Sequence, residues 1–155
     1  MRTNQYLNDK LNEIWQEFFI DVPRDNKVII KFGRKAAKRL GSIRKINSSS
    51  KEIFDTQILI NGHFRNKQIP NFIIEATIAH ELCHYAHGFS SPLPQLLRFP
   101  HRGDVVDQEL KKRGLKKLEQ TENKWLNKHW CKFIKGDCPT VSEREFLLDC
   151  ETQVK

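Results

Sequence analysis

The stretch Ile78 to Phe89, IAHELCHYAHGF, decides how the rest of the chain is read. It carries His80, Glu81 and His84 in the order H-E-x-x-H. On an α-helix, residues four apart differ by about 40° in azimuth and about 6 Å in height, so both imidazoles can approach one cation. Glu81, the next residue round, is placed to reach a water on that cation instead of the cation itself. Two histidines that hold one Zn2+, with an adjacent glutamate as general base, make the working set of a zinc hydrolase. The plainer alternative is an amphipathic helix whose histidines are only surface or core polar residues.

The flanks favour a helix. Pro70 precedes a run from Asn71 to His87 without Gly or Pro, and Gly88 follows where a left-handed C-terminal residue is expected. Ile74, Ile78, Leu82 and Tyr85 recur as one apolar stripe, while Ile73, Ala76, Thr77, His80, His84 and His87 fall along another. The spacing therefore predicts a helix buried on one side and lined with imidazoles on the other.

Upstream, Leu7, Leu11, Ile14, Trp15, Phe18 and Phe19 recur at helical intervals within residues 4 to 19, and the helix should stop before Pro23. Lys27 to Phe32 reads as a strand, Arg34 to Leu40 as a short basic helix closed by Gly41, and Ser42 to Ile46 as a second strand. Asn47 to Ser50 reads as a hairpin turn into a third strand, Ile53 to Ile60. The expected fold class is α+β: a small, mainly antiparallel sheet after an N-terminal helix and before the motif helix. Downstream, Asp104 should cap a helix through Val106, Leu110 and Arg113, Leu115 to Ile134 should form a longer one, and capping boxes at Thr140/Glu143 or Ser142/Glu145 open a last short helix. The 155 residues fit one domain.

A catalytic zinc usually takes three protein ligands and keeps one position open. His87, His101, Asp104 and Glu109 are the candidates for the third. His87 would require three successive turns of one helix to converge on a point, and is expected to line the cleft. Asp104 suits a helix cap, and Glu109 suits a hydrolase with a glutamate on a later helix. His101 lies in the Pro-flanked loop F-P-H-R-G, which can fold over the motif, and is favoured.

Four cysteines, Cys83, Cys131, Cys138 and Cys150, form no C-x-x-C pair. The N-terminal residues lack an apolar signal segment and no apolar run approaches a membrane span, so a cytoplasmic location with free thiols is expected. A second zinc site built from the last three cysteines matches no known ribbon spacing. The net charge is +8 and the pI about 9.4. Arg34, Lys35, Lys38 and Arg39 cluster before the motif, and Lys111 and Lys112 after it. An anionic partner such as nucleic acid, bound through these residues, and a merely solvated basic face both account for the excess.

The order of features resembles the SprT-like zinc metallopeptidases, the group that includes the Spartan and Wss1 proteases. The resemblance covers roughly Phe54 to Leu115: a strand ending in the I-x-I-N of Ile58 to Asn61, HELCH at His80 to His84, then Pro100, His101 and Gly103 opening a helix. It implies a zincin-like fold, one Zn2+ held by His80, His84 and His101, and Glu81 as catalytic base. The paired C-x-x-C ribbon of many relatives is missing. The resemblance also implies an endopeptidase acting on proteins associated with or crosslinked to DNA, with a nucleoid or nuclear location to match. The rivals are a nucleic-acid-binding protein whose zinc is structural or inactive, and a general cytoplasmic zinc peptidase.

Overall fold

A computed structural model describes residues 1–48, 53–96 and 103–136. Helix α1 (Asn4–Phe18) starts at Thr3, whose hydroxyl accepts the Tyr6 amide at 3.3 Å. Strands β1 (Val28–Phe32), β2 (Gly41–Ile46) and β3 (Asp55–Ile60) follow, then a 3-10 turn (Gly62–Arg65) and helix α2 (Asn71–Ala86), which bears the motif. Helix α3 (Val105–Lys112) and helix α4 (Lys116–Trp125) come next, and α4 continues through a π segment (Leu126–Trp130) into α5 (Cys131–Lys135). The expected single helix from Leu115 to Ile134 is thus one path with a π-type step, at which His129 and Trp130 are both buried.

The chain is α+β, with a correction to its sheet. The strand order is β1-β3-β2, with β1 parallel and β2 antiparallel to β3, so the sheet is mixed and not mainly antiparallel. The reason lies in residues 33–40, which form an irregular loop where a basic helix was expected. Asn61 holds that loop. Its side-chain amide donates to the Ala36 carbonyl at 2.7 Å and the Arg39 carbonyl at 2.8 Å, its carbonyl oxygen accepts from the Ala36 amide at 3.3 Å, and the Gly62 amide bonds the Arg34 carbonyl at 3.1 Å. These bonds occupy carbonyls that a helix would use internally. The loop therefore carries the chain past the place that β3 fills, and β1 and β2 end on opposite sides of it.

As the central strand, β3 is the apolar one, with Ile58 and Ile60 fully buried opposite Ile30 and Phe32 of β1. Helix α2 packs against α1, the sheet, α3 and α4 together. The expectation of one buried face is accordingly too modest, since twelve residues of its sixteen are buried, including Ile73, Ala76, Thr77 and His84 from the imidazole stripe. The helix is tied at both ends. The buried Arg2 donates to the carbonyls of Phe64, Asn66 and Ile69 and to the Asn71 side chain at 2.7–3.0 Å, which fixes the entry to α2. At the exit His87 is the C-cap, and Gly88 takes the expected left-handed conformation (φ +80°), where a Cβ would run into the Pro94 carbonyl. Among the described residues no helix is long and apolar enough to cross a membrane.

Candidate metal centre

His80 and His84 do converge. Their Nε2 atoms lie 3.2 Å apart, and the two rings meet edge to face. Two nitrogens bound at about 2.0–2.1 Å in tetrahedral geometry stand about 3.3 Å apart, so the spacing fits a shared zinc ion. Helical i, i+4 spacing brings the two rings to one side, and burial of His84 between the helix and Phe89 removes most of its freedom.

Glu81 is buried on a neighbouring side of the helix. β2 begins against it: a Cβ on Gly41 would stand 2.7 Å from Thr77 Cγ2 and 3.0 Å from Glu81 Oε1, so only glycine admits this approach of strand to helix. Burial pushes the Glu81 carboxyl up to about 8, against the opposing charge of Arg39. A carboxyl held near neutrality can both accept and return a proton.

The proposed third ligand, His101, lies outside the described residues, as do Cys138, Cys150, Ser49 and Ser50 of the expected hairpin turn and the capping boxes after residue 136. Among the described residues no group of three His, Cys, Asp or Glu side chains is arranged to hold a metal. The other candidates for third ligand are engaged elsewhere. His87 Nε2 stands 3.1 Å from Glu109 Oε2, and Arg113 Nε donates to Glu109 Oε1 at 2.8 Å. Arg113 extends this chain to both oxygens of Asp21 and to the Phe18 carbonyl. Burial alone would raise the Glu109 carboxyl, but the hydrogen bonds from His87 and Arg113 outweigh it and leave the group below its ordinary range. Asp104 occupies the expected N-cap position of α3, where its carbonyl accepts the Gln108 amide at 2.9 Å, but its Oδ1 accepts from Gln108 Nε2 at 3.0 Å and makes no side-chain cap bond. Cys83 is buried and packs, its thiol pushed up by burial and by the Glu109 charge.

The basic residues divide between two places. Arg34 and Arg39 line a groove of about 630 Å3 beside β2, together with Lys31 and Arg44 and no acidic side chain. Lys31, Arg34 and Arg39 make no ion pair with a described residue. Lys35 and Lys38 are exposed outside that groove. Lys111 lines a different cleft, shared with Asp104, Asp107 and Glu119, and Lys112 is exposed.

One feature of the site escaped the sequence reading. A cavity of about 20 Å3 between α2, α3 and α4 is lined by His80, Glu119 and Glu122 among apolar neighbours. Burial, with the Glu119 charge, pushes the Glu122 carboxyl up to about 8. Burial, followed by a hydrogen bond with Asp107, raises Glu119 to about 7. The signal was present in the sequence: Leu118, Glu122 and Trp125 fall at i, i+4 and i+7, which sets a carboxylate in an otherwise apolar stripe.

Compared with protein-family models, characterised proteins and solved structures, the chain finds no match in any of the three.

Proposed function

We propose that the chain is a zinc-dependent endopeptidase with a zincin-like arrangement, of the SprT-like kind that its motif order resembles. The observation that carries this reading is the 3.2 Å separation of the His80 and His84 Nε2 atoms, with the Glu81 carboxyl one residue away in a low-dielectric site. Zinc, when bound, would supply the Lewis acidity that polarises a scissile carbonyl and makes a water acidic near neutral pH. His80 and His84 would present neutral Nε2 lone pairs to it, and His101 is the third donor proposed. Glu81 would accept a proton at its carboxylate from the attacking water and return it to the leaving amine nitrogen. Burial by Gly41 and Thr77 keeps bulk water from Glu81, and the Arg39 charge opposes the rise in proton affinity that burial causes.

The groove beside β2 supports the further proposal that substrates are proteins associated with DNA. Arg34 and Arg39 there, with Lys35 and Lys38 on the same loop, offer phosphate contacts that are sequence-independent and sensitive to salt. The same cations support the runner-up, a nucleic-acid-binding protein whose zinc is structural. Zinc content and proteolysis of three variants separate the two. His80→Ala and His84→Ala should lose the metal, while Glu81→Gln should keep about one zinc per chain and lose cleavage by roughly 10²–10⁴-fold, as expected of a general base. Zinc loss in the Glu81 variant equal to that of the histidine variants would overturn its assigned role. Cleavage absent from a zinc-loaded wild type, with DNA affinity intact, would favour the runner-up.

A further inference from the structure

The cavity beside His80 holds an unresolved chemical demand. Its walls are Ala76, Ala79, Leu110, Leu115 and Leu118, and its polar lining is His80, Glu119 and Glu122. Glu119 has a partner in Asp107. Glu122 has no hydrogen bond and no ion pair with any described residue, although it sits on the stripe that α4 turns towards α2. A carboxyl kept in such a place without a cation costs stability, and an apolar side chain of similar length would fill the space better. Glu122 is half-buried, and packing alone does not call for a carboxyl at this place.

Its neighbour across the cavity is His80. His80 commits Nε2 to the side facing His84, so a group that fixes this ring from α4 must act on Nδ1. A metal-bound histidine is held in tautomer and orientation by a carboxylate on its other nitrogen, directly or through a water. At about 20 Å3 the cavity has room for roughly one water, which needs polar partners on at least two sides. We infer that Glu122 is a positioning residue: across this cavity, through one bridging water, its carboxylate accepts the hydrogen bond chain that begins at His80 Nδ1–H and so aims Nε2 at the metal. Glu122 touches neither metal nor substrate. The inference rests on the reading of His80 as a zinc ligand.

The test uses the full-length protein and zinc alone. Zinc affinity is measured by competition with a chromophoric chelator, and the melting temperature is measured on the metal-free protein, for Glu122→Leu, Glu122→Gln and His80→Ala. Glu122→Leu should bind zinc about 10- to 100-fold more weakly, the usual cost of removing a carboxylate that orients a ligand. Its metal-free form should melt no lower than wild type, because a shielded carboxyl has been replaced by an apolar side chain. Glu122→Gln, which still accepts a hydrogen bond, should lose less affinity than Glu122→Leu. In wild-type protein with 15N-labelled histidine, the His80 ring should be the Nδ1–H tautomer when zinc is bound, and that signal should broaden or shift in Glu122→Leu. Unchanged zinc affinity in Glu122→Leu overturns the inference. So does a loss of affinity matched by a lower metal-free melting temperature and not relieved by Gln, since Glu122 would then be a packing strut. His80→Ala losing zinc while Glu122→Leu keeps it sinks the positioning role alone; His80→Ala keeping zinc sinks the metal centre and this role with it.

Discussion

Two glutamates on neighbouring helices face two histidines of α2, and the protein treats them in opposite ways. Glu109 on α3 receives His87 Nε2 on one oxygen and Arg113 on the other, and its carboxyl is held below its ordinary range. Glu122 on α4 lines a cavity with His80, has no described partner, and is pushed up to about 8. The histidines differ correspondingly. His87 belongs to a network that reaches Asp21 at the end of α1, whereas His80 turns its Nε2 towards His84. A satisfied carboxylate ties elements together, while an unsatisfied one in a well-packed protein marks a place where chemistry outranks stability.

The largest effect that would break this contrast is on folding. Glu109→Ala should destabilise the protein by about 2–3 kcal/mol, because it leaves Arg113 and His87 without the acceptor they share in a shielded place. Denaturant unfolding of the metal-free protein measures it. A cost for Glu122→Leu as large as that of Glu109→Ala would mean that the two carboxylates do the same structural work.

A second test uses pH. The folded state holds Glu81, Glu119 and Glu122 above their unfolded values, so at these three sites it binds more protons than the unfolded chain between about pH 5 and pH 8. Their contribution to the stability of the metal-free protein therefore falls as pH rises through that window, opposed in part by His63 and His129, which burial depresses and which favour the folded state as they lose their protons. Glu109 and Asp21 are depressed and act with the opposite sign, with stability present above the unfolded carboxylate range and lost as pH falls below it. The curve should peak near pH 5 and drop by roughly 1–3 kcal/mol towards pH 8. Glu122→Leu should flatten the alkaline limb. A curve that rises steadily from pH 5 to pH 8 would contradict the raised proton affinity of these carboxyls.

The smallest expected effect is at the basic loop, where no stability is at stake. Changing Lys35 and Lys38 together to Glu should leave the melting temperature within about a degree, since surface substitutions rarely matter more. If the loop meets phosphate, the slope of log affinity for duplex DNA against log salt should lessen by about 2, near 0.9 for each contact removed. An unaltered slope would leave these lysines as solvated surface and confine any anion binding to the groove of Lys31, Arg34, Arg39 and Arg44.

Much of this was legible in the sequence because it depends on local rules. The spacing of His80 and His84, the Gly88 terminus of α2, the amphipathic repeat of α1 and the three strand segments follow from helical and strand periods acting over a few residues. What only the tertiary structure decided involves partners distant in sequence. Asn61 takes the carbonyls of the loop at residues 36 and 39, which abolishes an expected helix and sets a mixed strand order. Arg2 reaches the start of α2 across more than sixty residues, a role that no local pattern announces. Above all, the opposite fates of Glu109 and Glu122 could not be read from either residue's neighbours along the chain. A carboxyl's charge state is set by what surrounds it in space, and only packing of α3 and α4 against α2 gives one glutamate an arginine and a histidine and leaves the other facing a cavity.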